Sequence, residues 1–265
     1  MHKAEQKLID YQAEDGVALI TLTNPPANAY SHEMMLQLDA AILNARFDDS
    51  VHAIVLTGAG EKFFCAGADI NMLGAVTPSF KYYFCLPAHE TLVRLEQTAK
   101  LVIAAINGHC MGGGLEIALA CDLRVARRGA GKMGLPEVNL GVLPGTGGTQ
   151  RLARVLGKSR SIELMVTGEA FSFEKAAELG LVNQIFEGEN FFDQVLAYAR
   201  SFCPPARAAM AVGRIKRAVQ SGWEVPLETG LALERELQQQ LFESGDAREG
   251  IGAFIDRRKP NFKGK

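Results

Sequence analysis

The chain reads as an α/β protein on three observations: short buried-strand signals, helical patterns between them, and an almost wholly helical end. Segments 17–22, 53–57 and 101–106 are aliphatic runs, closed by Asn24-Pro25, Gly58-Ala59-Gly60 and Asn107-Gly108 respectively. Such runs bounded by turn residues read as strands. Their continuity, in place of strict alternation, suits strands covered on both faces. Ser31 is placed to cap a helix through residue 43, with Met34, Met35, Leu38, Ala41 and Ile42 on one side. Segments 91–99 and 114–120 also read as helices, and this alternation defines the α/β class. Further on, 150–156, 159–166 and 172–179 are helical and 181–186 reads as a last strand. After Cys203-Pro204-Pro205 come three amphipathic helices over 206–220, 227–242 and 246–256. The division expected is a core over 1–204 and a helical region over 205–265. The apolar faces of that region must be buried on the core or on a neighbouring subunit.

Composition narrows the class further. At 265 residues, the chain buries enough surface to need no disulfide or metal staple. With 28 basic residues against 30 acidic ones, its net charge of -2 creates no general attraction for nucleic acid or an anionic membrane. Arg124, Arg127, Arg128 and Lys132 form the dense basic segment outside the tail. Cysteines at 65, 85, 110, 121 and 203 are odd in number and lack CxxC or Cys/His spacing, which excludes a disulfide framework and a zinc site. The N-terminal Met1-His2-Lys3-Ala4-Glu5-Gln6-Lys7 is polar, with no apolar signal core behind it, so the expected compartment is the cytoplasm.

Chemistry concentrates where glycines cluster: Gly58-Ala59-Gly60, Ala66-Gly67-Ala68-Asp69, Gly112-Gly113-Gly114 and 141–148. A glycine-rich turn from strand to helix exposes backbone N–H groups that can hold an anion or a developing oxyanion, although such clusters also serve tight packing alone. Neither a phosphate-cradling GKS/GKT nor a GxGxxG after a strand is present. Glu116 and Glu137 stand in otherwise apolar segments beside these turns. A carboxylate placed there is expensive unless paired or protonated, and two facing one cavity can divide acid and base roles. Singly, each also reads as an acid favoured at a helix N-terminus. The histidines at 2, 32, 52, 89 and 109 show no ligand or triad spacing, and Cys65 has no partner base. Asp69 is read as a helix cap as much as a binding group.

Taken in order, several segments resemble the crotonase family, and most closely its enoyl-CoA hydratases. They are Asn24-Pro25-Pro26-Ala27-Asn28-Ala29, Phe63-Phe64-Cys65-Ala66-Gly67-Ala68-Asp69-Ile70, and Ala104 to Gly108 continuing through Gly112-Gly113-Gly114-Leu115-Glu116 to Asp122. After these stand Leu135-Pro136-Glu137-Val138-Asn139-Leu140-Gly141 and Pro144-Gly145-Thr146-Gly147-Gly148-Thr149-Gln150-Arg151-Leu152. The likeness runs from about residue 15 to the end. It implies a spiral of ββα units followed by a helical trimerisation region, assembled as a trimer or a hexamer. It further implies an acyl-coenzyme A thioester substrate and an oxyanion hole from the N–H groups of Ala68 and Gly113. Glu116 and Glu137 match the two glutamates that add water across an enoyl-CoA double bond. Gly145 is matched to a water-directing N–H, and Ala66, Asp69, Ile70 and Asn71 to the substrate-binding segment. No metal or separate cofactor is implied, coenzyme A being part of the substrate. A double-bond isomerase, decarboxylase or hydrolase using the same oxyanion hole is the alternative, with a nucleic-acid-binding or scaffold role further off. Three places depart from the commonest hydratase pattern. Asn71 stands where a lysine is frequent, Tyr30 where a leucine is, and 81–86 is rich in aromatics.

Overall fold

A computed structural model describes residues 6–265, so the reading of Met1 to Glu5 lies outside the described residues. Strands β1 (Ile9–Glu14), β2 (Val17–Leu22), β3 (Ala53–Gly58), β5 (Leu101–Ile106), β7 (Leu123–Arg127) and β10 (Gln184–Phe186) form a six-stranded sheet in the order β1-β2-β3-β5-β7-β10. Strands β4 (Phe63–Cys65), β6 (His109–Met111), β8 (Lys132–Gly134) and β9 (Phe171–Ser172) form a second, four-stranded sheet in that order. From β3 to β8 consecutive strands alternate between the two sheets, and pairing is parallel except for β1 with β2 and β8 with β9. A helix follows the pairs β3–β4 and β5–β6, so the chain winds as a spiral of ββα units, as the family resemblance implies.

The aliphatic runs are continuous because both faces of the large sheet are covered. On one face Val17, Ala53, Val55, Ile103, Ala105 and Val125 pack with Phe191, Val195 and Ala199 of α8 (Phe191–Arg200). On the other, Ile20, Leu22, Ile54, Leu56, Val102, Ala104 and Ile106 join the main core with α1 (His32–Phe47) and α4 (Gly113–Leu119). Ser31 caps α1 as expected, its Oγ accepting from the Met34 N–H at 3.2 Å. Ser31→Ala should therefore lower stability by about 1 kcal/mol. A lowered denaturant midpoint at unchanged slope is the expected readout, and an unshifted midpoint counts against the cap.

Several elements differ from expectation. β1 went unread because it is a polar edge strand, although Asp15-Gly16 makes the two-residue turn to β2 with φ of 51° and 82°. Positive φ at both central residues is the I′ hairpin that Asp-Gly favours, so the signal was in the chain. α3 spans Pro78–Glu96, with Thr77 as its cap and Pro87 inside, where only 91–99 reads as helix. α8 went unread because Asn190 enters it in left-handed conformation with no side-chain cap. Residues 123–132 run from β7 to the start of β8, strands of separate sheets, and the basic side chains there divide, with Arg128 and Lys132 exposed. Arg124 is buried, donating to the carbonyls of Leu181, Cys121 and Ala118. Arg128 pairs with Glu187 and Glu174.

Helices α9 (Ala209–Gly222), α10 (Leu227–Phe242) and α11 (Gly245–Ile255) close the chain. Lys216 anchors α9 to the core through Asp122 at 2.8 Å and the Lys100 carbonyl at 3.1 Å. Trp223, Leu227, Phe254 and Ile255 keep more than two-thirds of their surface exposed. No helix among the described residues is long and apolar enough to cross a membrane.

Candidate active site

Where the three turns of the spiral meet, a cavity of about 380 Å³ opens, lined by Ala66, Ala68, Ile70, Gly113, Glu116, Glu137 and Gly145 among others. Seven of the nine residues singled out from the sequence thus come to one place. Asp69 and Asn71 are not among the lining residues. Asp69 Oδ1 accepts from the N–H groups of Asn71 and Met72 and caps α2 (Ile70–Ala75).

The backbone on one wall is shaped by glycine. Tyr30 and Ala68 form an isolated parallel bridge, in which the Tyr30 N–H donates to the Gly67 carbonyl and the Asp69 N–H to the Tyr30 carbonyl. Ala68's own N–H lies outside that bridge. Gly67 turns with φ of +100°, and a Cβ there would sit 3.1 Å from the Gly113 nitrogen. Gly113 opens α4, so its N–H has no acceptor within the helix. Two amides from separate turns therefore come close together on the cavity wall.

Glu116 sits in the first turn of a helix buried over its full length. Its Oε1 accepts from the Thr146 N–H at 2.7 Å and the Gly148 N–H at 2.6 Å. Burial raises its pKa, while these two amides and the Arg151 charge oppose the rise. Arg151 fixes the loop that carries those donors. Its guanidinium grips Glu96 through two bonds of 2.8 and 2.7 Å and donates to the Thr146 carbonyl at 3.1 Å. Inside the cavity the Tyr30 hydroxyl lies 2.6 Å from Thr146 Oγ1.

Glu137 begins a short 3-10 turn (Glu137–Leu140). Burial pushes its pKa up to about 7, the Glu116 charge adding to the rise and Lys81 opposing it. Oε2 is buried without a partner among the described residues. Oε1 approaches to 2.9 Å the place a Cβ would take on Gly112, so that glycine makes room for the carboxyl. The two carboxylates differ accordingly: Glu116 is held by fixed donors, whereas Glu137 is poised to carry a proton near neutrality.

Sequence reasoning missed Thr146, Gly148, Arg151, Glu96 and Lys81 as parts of this site. Thr146 and Gly148 lay within the glycine cluster already noted, but the acceptor of their amides is some 30 residues away. Glu96 carried no signal, whereas Lys81 opens the stretch 81–86 noted in the sequence, and it lines the cavity.

A ββα spiral with two environment-split carboxylates in an apolar cavity defines an α/β enzyme of the crotonase fold. The comparisons with known proteins agree. The family model described as "Enoyl-CoA hydratase/isomerase" matches residues 12–265. The short-chain-enoyl-CoA hydratase of Clostridium acetobutylicum is 36% identical over 94% of this chain and 94% of its own length. The 2,3-dehydroadipyl-CoA hydratase of Escherichia coli K12 is 37% identical over 94% of this chain and 96% of its own. A crystallised enoyl-CoA hydratase from Geobacillus kaustophilus HTA426 superposes with a TM-score of 0.95 at 44% identity, covering 99% of this chain and 98% of that one. The chain belongs to the enoyl-CoA hydratase/isomerase family, and it is an enzyme.

Proposed function

We propose that this enzyme adds water reversibly across the 2,3 double bond of an enoyl-CoA thioester to give a 3-hydroxyacyl-CoA. The observation that carries the reading is that Glu116 and Glu137 line one cavity, Glu116 held by two backbone amides and Glu137 with an unpartnered Oε2 and a pKa raised to about 7. The thioester carbonyl accepts from the N–H groups of Ala68 and Gly113, which stabilise the negative charge as it develops. Removing one such donor typically costs about 2.7–4 kcal/mol in a transition state. Glu116 takes a proton from water as its oxygen bonds to C3, and Glu137 gives its proton to C2. The Gly145 N–H directs the water. Ala66 and Ile70 line the cavity that takes the acyl group, while Asp69 caps α2 and Asn71 lies in its first turn. The chemistry draws on carboxylates and amides alone, with coenzyme A part of the substrate.

Self-association as a trimer or hexamer through the 205–265 region accords with the exposed Trp223, Leu227, Phe254 and Ile255, against the 1–204 core that bears the site. A cytoplasmic location accords with five free cysteines. A nucleic-acid role has little support, since Arg124 is buried and the exposed Arg128 is paired with Glu187 and Glu174.

The test is a product assay over enoyl-CoA thioesters from crotonyl-CoA to medium-chain, branched and aromatic acyl groups, with Glu116→Ala and Glu137→Ala alongside. Water addition by the parent enzyme and its loss in both variants is the expected result. Bound thioester returned as a migrated, decarboxylated or hydrolysed product would move the chemistry to an isomerase, decarboxylase or hydrolase.

A further inference from the structure

Tyr30 touches the site at three points. Its backbone brackets Ala68, through the Tyr30 N–H to the Gly67 carbonyl at 2.9 Å and the Asp69 N–H to the Tyr30 carbonyl at 3.1 Å. Its ring lies so close to Gly113 that a Cβ there would fall 2.4 Å from Cε1. Its hydroxyl reaches Thr146 Oγ1 at 2.6 Å, and the Thr146 N–H in turn donates to Glu116. Any side chain could supply the backbone contacts. The ring and the hydroxyl are particular to tyrosine.

The ring has no freedom to leave this place. It is 2% exposed and stacked on Phe84 of α3, with centroids 5.9 Å apart and planes 6° from parallel. Thr146 is therefore held from two sides, by Arg151 at its carbonyl and by Tyr30 at its hydroxyl. A leucine fills part of the same space but cannot reach Thr146. Loss of the phenol would leave the buried Thr146 hydroxyl without this partner.

We propose that Tyr30 is a positioning residue that registers the two halves of the site. Its ring sets the Gly113 amide, and its hydroxyl, through Thr146, sets the Glu116 carboxylate. The turnover part of this inference rests on the hydratase reading.

Two variants and two readouts test it. Tyr30→Phe keeps the ring and removes the hydroxyl, so it folds with the parent shape. With crotonyl-CoA its kcat falls about tenfold while KM stays within about twofold, as expected for a hydrogen bond that aligns a reacting group. The second readout is the red shift in ultraviolet absorption of a bound dienoyl-CoA, which reports polarisation of the thioester carbonyl without turnover. Tyr30→Phe retains that shift, and Tyr30→Leu loses about half of it or more, as loss of support for one donor demands. Parent-like kcat in Tyr30→Phe, or a rise in KM alone, overturns the role of the hydroxyl. A full red shift in Tyr30→Leu overturns the role of the ring. If the parent enzyme hydrates nothing, the hydratase reading fails by itself. The red shift still decides the ring, and the hydroxyl is read on the isomerised, decarboxylated or hydrolysed product that replaces hydration.

Discussion

Replacing Glu137 with glutamine lowers kcat for hydration by about a thousandfold and leaves KM within a few-fold, the middle of the range for a positioned acid–base group. The amide keeps the shape of the carboxyl, including its fit against Gly112, but cannot deliver a proton to C2. No hydrogen bond of Oε2 is lost, because it has no partner among the described residues. Folding should not suffer either, and the sign can be worked out. The folded state holds the Glu137 proton up to about pH 7, whereas the ordinary value is 4.5. Between those values the folded state binds more proton than the unfolded one, so this group's contribution to stability falls as pH rises through the window. Above it the ionised carboxylate is a burden that glutamine removes. The variant should therefore melt no lower than the parent at pH 8 while turning over about a thousandfold more slowly. That combination separates chemistry from folding. Near-normal hydration by Glu137→Gln would take this residue out of the proton transfer.

The parts of the fold legible in the chain were those where one physical cause dominated. β2, β3 and β5 are buried on both faces, and an aliphatic run suffices to mark them. α10 runs over Leu227–Phe242, as its periodicity predicts. Where two causes competed, the reading failed. β7 carries Arg124 into the core because three carbonyls at helix and loop ends there take its donors, which no local pattern announces. α3 continues through Pro87 and past the aromatic residues 80–84, where composition alone looks like a loop.

The site divides the same way. Glu116 and Glu137 were visible because a carboxylate among apolar residues is costly, and the glycines beside them because their backbone is exposed. Their environment was not visible. Tyr30, Glu96, Glu116 and the segment of Thr146 and Arg151 are far apart in the chain, and only the spiral brings these four places together. The chain names the two candidate carboxylates, whereas the groups that align them depend on long-range packing.

Two carboxylates that share one proton lead to a bell-shaped dependence of kcat/KM on pH, with the same limbs for hydration and dehydration. Hydration starts with the proton on Glu137 and Glu116 ionised. Dehydration starts from the opposite arrangement, with Glu116 protonated and Glu137 ionised. Each active form carries one proton on the pair, so the two limbs belong to the pair and not to either residue alone. Hydration also takes up no net proton, so the ratio of the two kcat/KM values equals an equilibrium constant that does not change with pH. The limbs must then coincide. In the free enzyme the first proton leaves at about 7, where burial and the Glu116 charge hold Glu137 against the opposing pull of Lys81. Activity should fall about tenfold for each pH unit above that value. The acid limb comes when Glu116 takes a second proton; burial favours this, and the Thr146 and Gly148 amides resist it. Initial rates in both directions between pH 5 and about 9 would follow the limbs. A flat profile above pH 7 would mean that the proton is not held on Glu137.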